Sequence, residues 1–336
     1  MEDVTKHYKT PTSEDVARLA NVSRATVSTY INQTGNVSKK SQKKIEEAIE
    51  ILNYIPNEVA RSLKTKNNNA IGFIVPVMSK FYLPMIRSIN EMIYQKGYTM
   101  LLGSSEEYAD RERDLLKMFV ANKVKGILVV PCTNKNFKIF SNAQEHGIVC
   151  IQLNRRIENL ETDSVVSNIR QAIFDAVDFL YNARNKRKIA LIGYDPNIIT
   201  NNDKLEGYER AVEKYGMDRI VFEKDNNGYQ GINLEVDSFL KENNVDGVIC
   251  TTRTYMEIVY ELLKRKHVRM PDEVSLVGYD DPFWTSLVDP PITVISEDRQ
   301  LMGEKAVDLL FDRIENTHTG EPRKIVLNTN FVVRTT

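Results

Sequence analysis

Twelve residues constrain this chain more than any others. Residues 21–32 read NVSRATVSTYIN. Ser23 stands where an N-cap belongs, since its hydroxyl can accept from the free N–H groups of the turn that follows. Val27 and Ile31 lie four apart and share one helical face, with Tyr30 on its flank. The opposite face carries Arg24, Ala25, Ser28 and Thr29, which are small or hydrogen-bonding side chains plus one guanidinium. A helix that lies in the ~12 Å major groove of DNA needs an outer face of that kind. Upstream, Thr12, Ser13, Glu14 and Asp15 make a helix start with acids in the first turn. Val16, Ala17, Leu19 and Ala20 give the short helix an apolar face, and Asn21, Val22 and Ser23 supply a turn. Helix, tight turn and capped second helix is the helix-turn-helix plan, whose second helix reads base edges. Two packed surface helices of an ordinary domain is the competing reading of this pair alone.

The next segments weigh against that alternative. Asn36, Val37 and Ser38 open a third helix with Ile45, Ala48, Ile49 and Leu52 at core spacing. Lys39, Lys40, Lys43 and Lys44 crowd its start, where the helix dipole prefers anions. A nearby polyanion would relieve that conflict; a solvated face is the alternative. Residues 53–66 read NYIPNEVARSLKTK. Pro56 can begin a short helix there, with Asn57 near its start. The segment 57–64 is too short for a stable free helix and is expected to be disordered or frayed without DNA.

DVARLANVSRATVSTYIN, NVSKKSQKKIEEAIEILNYIPNEVARSLK and, far downstream, VSLVGYDD and PPITVI resemble the lactose/galactose-repressor (LacI/GalR) family over essentially the whole chain. The resemblance implies a sequence-specific DNA-binding transcriptional regulator, a repressor that holds a near-palindromic operator in double-stranded DNA as a homodimer. It puts Arg24, Ala25 and Thr29 at base-reading positions. Arg24 can pair with guanine O6 and N7, worth roughly 1–3 kcal/mol of discrimination. Ala25 can touch a thymine methyl or leave space, and Thr29 can donate, accept or offer its methyl. Ser23, Thr26, Ser28, Asn32, Ser38 and Tyr54 are expected at phosphates, which position without specifying; Ser23 can serve as N-cap at the same time. Segment 57–64 matches the family's hinge helix, a pair of which lies in the minor groove. Leu63 is then the wedge, with Asn57, Ala60 and Lys64 beside it. An apolar wedge costs unstacking and gains a bent site that holds more protein surface. A core leucine of a linker helix is the plainer alternative.

Charge agrees with a polyanion at one end only. Residues 1–66 hold eleven basic and eight acidic side chains, a net +3, and the rest of the chain is −4. No run reaches ~18 apolar residues and the N-terminus lacks an apolar signal core, so a cytoplasmic protein with no membrane partner is expected. Cys132, Cys150 and Cys250 sit in or beside apolar runs and read as buried reduced thiols. His7, His146, His267 and His318 are scattered, with no metal-ligand spacing. No Ser/His/Asp or paired-carboxylate set emerges, and no Gly-x-Gly-x-x-Gly follows a strand. No enzyme, cofactor or metal is therefore expected.

From Ala70 the pattern changes. AIGFIVPV is the continuous apolar run of a strand covered on both faces. Helix 83–96, YTMLLGS, helix 106–122, GILVVP, helix 136–146 and IVCIQLN follow. A second set runs through helix 170–182, KIALIGY, helix 204–215, RIVFEK, helix 231–243, GVICTT, helix 255–266 and VSLVGYDD. A last helix, 301–315, precedes KIVLNTNFVVR. This alternation gives right-handed βαβ units. Two successive sets suggest two lobes, with ligand bound beyond the carboxyl ends of the strands. The expected architecture is an N-terminal all-α helix-turn-helix domain followed by a two-lobed α/β effector domain with parallel, Rossmann-like sheets. The resemblance makes that second domain periplasmic-binding-protein-like, with crossings near 165–167, 295–299 and 328–331. Residues 1–56 would be the head, 57–69 the hinge helix and linker, and 70–336 the effector-binding and dimerisation domain. Its N-lobe would span about 70–166 and 299–328, its C-lobe about 167–296 and 329–336. The ending FVVRTT adds no heptad segment, which favours a dimer over a tetramer.

For a small-molecule effector the candidates lie at strand ends. Phe81 and Tyr82 follow the first strand, where the family often places an aromatic. Asp280 matches the family's effector-binding aspartate and could accept two sugar hydroxyls, while Asp281 shapes the turn. Trp284, the only tryptophan, belongs either on a sugar face or in the core. Two places depart from the family pattern. Lys204 stands where an arginine is common, and Thr252 and Arg253 where an Asn-Asp pair is common. Lysine lacks the planar fork, and Arg253 replaces an acid with a base. Together they would tilt the cleft toward an anion such as a sugar acid or sugar phosphate; a surface salt bridge for either is the alternative. Effector binding would change the lobe angle and shift DNA affinity by roughly 1–3 kcal/mol. Two readings compete: a family member controlled mainly by a protein co-regulator, and a carbohydrate-binding α/β protein that does not act on DNA.

Overall fold

Thr12 begins the first helix in the computed structural model, which describes residues 11–32, 34–54, 69–157, 159–224 and 231–336. The chain forms two units, Met1–Asn68 and Asn69–Thr336. The first holds α1 (Ser13–Ala20), α2 (Arg24–Asn32) and α3 (Lys39–Leu52). Thr12 Oγ1 accepts from the Asp15 N–H at 3.3 Å, and the Thr12 N–H donates to the Asp15 carboxylate at 3.0 Å. That reciprocal cap satisfies two otherwise orphan donors. Asn21 ends α1 at φ 50°, a left-handed conformation that asparagine tolerates. Ser23 caps α2 by accepting from the Thr26 N–H at 3.1 Å, and Ser38 caps α3 through Ser41.

The core of this unit is small. Val16, Ala17, Ala20, Val27, Ile45 and Ala48 are buried, and Tyr30, Ile31, Ile49, Leu52 and Tyr54 pack around them. Leu19, expected on the apolar face, is 48% exposed. At 100° per residue, positions 16, 17 and 20 define the buried stripe and position 19 falls off its edge. Asn57, Ala60, Leu63 and Lys64 lie outside the described residues.

In the second unit, β1 (Ala70–Val75), α4 (Leu83–Gln95), β2 (Thr99–Ser104), α5 (Ala109–Ala121), β3 (Gly126–Val129), α6 (Phe137–Glu145), β4 (Val149–Leu153) and β5 (Asp163–Ser167) come first. Next are α7 (Ile169–Asn182), β6 (Ile189–Tyr194), α8 (Ile199–Tyr215), β7 (Ile220–Glu223), α9 (Ile232–Glu242), β8 (Gly247–Cys250) and α10 (Arg253–Arg265). The chain closes with β9 (Ser275–Tyr279), β10 (Thr293–Ser296), α11 (Arg299–Ile314), β11 (Lys324–Leu327) and β12 (Asn330–Val332). Two six-stranded sheets result, in the orders β11-β5-β4-β3-β1-β2 and β12-β10-β9-β8-β6-β7.

The chain leaves the first sheet after β5, returns after β10, and crosses last between β11 and β12. KIVLNTNFVVR, one run in the sequence, is thus divided between the lobes. The expectation of purely parallel sheets needs one correction: β12 pairs antiparallel with β10. Only two residues separate β11 from β12, so no helix reverses the chain, and it enters the second sheet against the grain. β5 (DSVVS) and β10 (TVIS) are short strands at crossings that carry no long apolar run. Helix α5 starts at Ala109 because Glu106 and Glu107 both take left-handed backbones, at φ 49° and 60°. Helix α8 starts at Ile199, five residues before the expected 204, so Lys204 sits in its second turn.

Helices cover both faces of each sheet. Phe73, Ile89 and Leu310 sit in the layer beneath α4 and α11, and Leu116, Phe119 and Phe140 in the layer beneath α5 and α6. In the second lobe, Val236, Met256 and Val259 fill one face, and Ile173, Val177, Tyr208 and Ala211 the other. Double coverage is why β1 is buried at all six positions. Each such large apolar side chain contributes about 1.5–3 kcal/mol. Gly207 lets α8 lie against α7, since a Cβ there would collide with the Arg170 carbonyl. The three cysteines are free and buried, and burial pushes the Cys132 and Cys150 thiols up to about 12.

Candidate functional sites: an exposed helix and a charged cleft

On α2 the side chains divide by duty. Arg24 and Ala25 are exposed and Thr29 is half-buried. The Arg24 guanidinium has one loose contact, 3.9 Å to the Glu14 carboxylate, with both side chains about 70% exposed. The expected phosphate contacts already carry bonds within the unit. Ser23 Oγ is shared between the Thr26 N–H and the Thr26 hydroxyl at 2.8 Å. Asn32 Nδ2 folds back onto the Ser28 carbonyl and hydroxyl at 2.8 and 3.1 Å. Ser38 holds Ser41, and Tyr54 packs on the small core. Lys39, Lys40, Lys43 and Lys44 are all exposed, and among the described residues none meets a carboxylate. The outward face of α2 is therefore a loosely held guanidinium, a methyl and a hydroxyl on a helix braced from behind.

The second site forms at the carboxyl ends of the strands of the second unit. Asp280 directly follows β9 at φ 78°, where a residue with a Cβ is uncommon. Its N–H donates to the Ile295 carbonyl at 2.7 Å and holds that conformation. The residue is 4% exposed and both carboxylate oxygens accept hydrogen bonds. Oδ1 accepts from Arg299 Nη1 at 2.6 Å, and Oδ2 from Arg253 Nε at 2.9 Å and also from Arg253 Nη2. Arg253 thus pairs with the candidate effector aspartate rather than with a surface acid. Thr252 caps α10 by accepting from the Tyr255 N–H at 3.3 Å, which makes Arg253 the first helical residue.

Arg299 opens α11 of the first lobe, so its bond to Asp280 spans the lobes. Its guanidinium lies 3.4 Å over the Phe81 ring, with Nη2 3.7 Å from Glu297. Burial opposes its charge, but Glu297 and Asp280 outweigh that and raise its pKa. Glu297 accepts from the Tyr279 hydroxyl at 2.7 Å and from Asn154 Nδ2 at 3.3 Å. Burial, reinforced by Glu297, pushes the Tyr279 hydroxyl well above its ordinary value. Phe81 stacks on Tyr279 at 6.5 Å and meets Tyr82 edge-on at 4.8 Å. Tyr82 itself turns into the first lobe's core. Arg155, just after β4, grips Glu107 with two bonds of 2.8 Å.

Lys204 is buried. Its Nζ donates to the Thr251 carbonyl at 2.7 Å and to Asn201 Oδ1 at 3.4 Å, and stands 4.0 Å over the Tyr279 ring. Burial pushes its pKa down to about 7; Glu297 opposes the shift and Arg155 and Arg299 add to it. Trp284 lies elsewhere, 6.3 Å from the Tyr260 ring and against the second lobe's core, which is its packing alternative. Asp281 holds Arg334 and the Thr285 hydroxyl, a turn-shaping role.

Phe81, Arg253 and Asp280 therefore gather around Arg299, and Lys204 joins them through the Tyr279 ring; Tyr82 and Thr252 support their surroundings, and Trp284 packs in the second lobe's core away from them. Arg299, Glu297, Tyr279, Asn154, Arg155 and Glu107 belong to the same constellation, and sequence reasoning had singled out none of them. One signal was present: with TVIS read as a strand, Glu297 and Arg299 become strand-end residues like Asp280. A separate cavity of about 310 Å³ opens near Cys150, Asp163 and Pro322, where Asp163 is already held by Arg313 and Arg323. Among the described residues no helix is long and apolar enough to cross a membrane, and no cluster of His, Cys, Asp or Glu could hold a metal.

Two family models match the chain: "Bacterial regulatory proteins, lacI family" over residues 12–57, and "Periplasmic binding protein-like domain" over residues 177–336. A probable HTH-type transcriptional regulator, EndR of Paenibacillus polymyxa, is 30% identical over 310 residues, covering 90% of this chain and 91% of the relative. The HTH-type transcriptional repressor PurR of Vibrio atlanticus (strain LGP32) is 28% identical, covering 97% and 98%. Among solved structures, a transcriptional regulator CelR–cellobiose complex is similar at TM-score 0.71 and 25% identity, covering 97% of this chain and 99% of that one. The lac repressor dimer bound to operator and the anti-inducer ONPF shares the fold at TM-score 0.81 and 22% identity, covering 97% and 99%. The fold is a helix-turn-helix head with a two-lobed periplasmic-binding-protein-like body.

Proposed function

This chain belongs to the lacI family of bacterial regulatory proteins and is a transcriptional regulator rather than an enzyme, and we propose that it represses by holding a near-palindromic operator as a homodimer in the cytoplasm. Arg24, Ala25 and Thr29 read bases in the major groove of each half-site, and Arg24 selects a guanine. The segment 57–69 is the link between head and body, with Leu63 as the minor-groove wedge beside Asn57, Ala60 and Lys64. A small sugar-like molecule bound among Phe81, Lys204, Arg253 and Asp280 shifts the lobes and so the DNA affinity. The relatives described as repressors and the relative solved with cellobiose support this reading. The observation that carries it is the outward face of α2, where Arg24 and Ala25 stand exposed while Ser23, Ser28 and Asn32 brace the helix.

The test is selection of a tight duplex from genomic fragments by the full chain, followed by salt titration. A regulator should give one or a few related near-palindromic sites. Their log affinity should fall with log salt at about 0.9 per neutralised phosphate. Arg24→Ala should relax the base preference at one position per half-site. Selection of unrelated duplexes with no shared half-site would reject the reading.

A further inference from the structure

We infer that the cleft takes an effector bearing an anionic group, a carboxylate or a phosphate on a small polar scaffold, seated on Arg299 and Arg155. The inference rests on the reading of the cleft as the effector site and narrows its ligand class. It comes from what the site has left to offer. Every carboxylate there is already engaged on both oxygens. Asp280 is held on both oxygens by Arg253 and Arg299, Glu297 on both by Tyr279 and Asn154, and Glu107 on both by Arg155. Donors remain: Nε and Nη2 of Arg299 and Nε of Arg155 are buried with no hydrogen-bond partner among the described residues, Nη2 having only the longer 3.7 Å contact to Glu297. Both of these arginines are only 6% exposed.

A neutral sugar needs acceptors as well as donors, because each hydroxyl must also place its own proton. Here each such proton would have to share a carboxylate oxygen that already accepts from an arginine, a tyrosine or an amide. An ionised carboxylate or phosphate group only accepts, so it matches the unfilled donors without breaking a pair. Charge does not oppose an anion: Arg155, Arg253 and Arg299 balance Glu107, Asp280 and Glu297, and Lys204 adds a partial positive charge at neutral pH. The N-termini of α10 and α11, which begin at Arg253 and Arg299, also carry partial positive charge. Arg253 is then a specificity residue: by occupying Asp280 it removes the acceptor that a neutral ligand would use.

The experiment uses the full-length protein at constant ionic strength, balanced with sodium chloride. Calorimetry and thermal melting would follow titration with inorganic phosphate and with glucose, glucuronate and glucose 6-phosphate. Saturable phosphate binding that is lost in Arg299→Gln supports the inference, as does at least tenfold tighter binding of one charged sugar than of glucose. In Arg253→Thr, which frees one Asp280 oxygen, that preference should fall at least fivefold with unchanged circular dichroism. Should Arg299→Gln fail to fold, Arg253→Thr decides. The inference is overturned if phosphate and both charged sugars show no saturable binding, if glucose binds as tightly as they do, or if the preference is the same in the variants. Retention of the selected duplex by the same preparation separates the two failures: specific retention without anion preference leaves the regulator standing and removes only the ligand class.

Discussion

Arg24 and Arg299 are both arginines at the first position of a helix, yet they stand in opposite surroundings. The Arg24 side chain is 70% exposed with a single loose contact. The Arg299 side chain is 6% exposed and lies between the Phe81 ring, Asp280 and Glu297. One is held ready for something outside the protein. The other is anchored inside it, in a network whose members depend on each other. Exposed recognition groups can change without disturbing the fold, because water satisfies them when the partner is absent. Buried charged groups cannot, because removing one leaves the others without a counter-charge. DNA reading and ligand sensing should therefore differ in how strongly mutation couples function to stability.

The contrast is tested most severely at Asp280. Asp280→Ala removes the carboxylate that Arg253 and Arg299 share and should cost about 3–5 kcal/mol, the usual range for breaking a buried pair. Urea unfolding of the full chain, followed by signals from the second unit, would read this; a loss below about 1 kcal/mol would break the comparison. Lys204 offers a second test through pH. Its pKa is about 7 in the fold against 10.5 as the ordinary value, so above pH 7 the unfolded chain binds the extra proton. The penalty for burying the ammonium is complete below pH 7 and is relieved as pH rises toward 10.5. Stability should then climb by up to about 1.4 kcal/mol per pH unit in that window, and Lys204→Met should remove this share of the slope.

Smaller effects are expected in the head. Arg24→Ala should remove about 1–3 kcal/mol of base discrimination, read by anisotropy on duplexes changed at one position. Its own unfolding midpoint should correspond to a change within about 0.5 kcal/mol. Thr12→Ala, which breaks the reciprocal cap with Asp15, should do the reverse: about 1 kcal/mol of head stability lost with base preference intact. If Arg24→Ala unfolded the head, or Thr12→Ala changed the preferred sequence, the division between bracing and reading side chains would fail.

The head was legible almost residue by residue, since its signals are local. A cap lies within three residues of the N–H it satisfies, as Thr12, Ser23 and Ser38 do. Leu19 was the exception, because membership of the apolar stripe depends on where the neighbouring helices lie. In the body, apolar runs marked β1 and β6, but β5, β10 and the division of β11 from β12 were obscured. Those strands are short and mix polar with apolar positions, so their identity comes from pairing with distant partners, β5 with β11 in one sheet and β10 with β12 in the other.

Alone, the sequence determined the kinds of element, their order, the helix-turn-helix with its outward Arg24, and an Asp280 at the end of a buried strand. Those features follow from periodicity, capping and turn chemistry, which act within a few residues. Only the tertiary structure decided that Arg253 and Arg299 both close on Asp280, that Glu297 gathers Tyr279 and Asn154, and that Lys204 loses its water beneath Tyr279. Charge pairing and desolvation depend on which distant segments meet at the carboxyl ends of two sheets. No local pattern records that meeting.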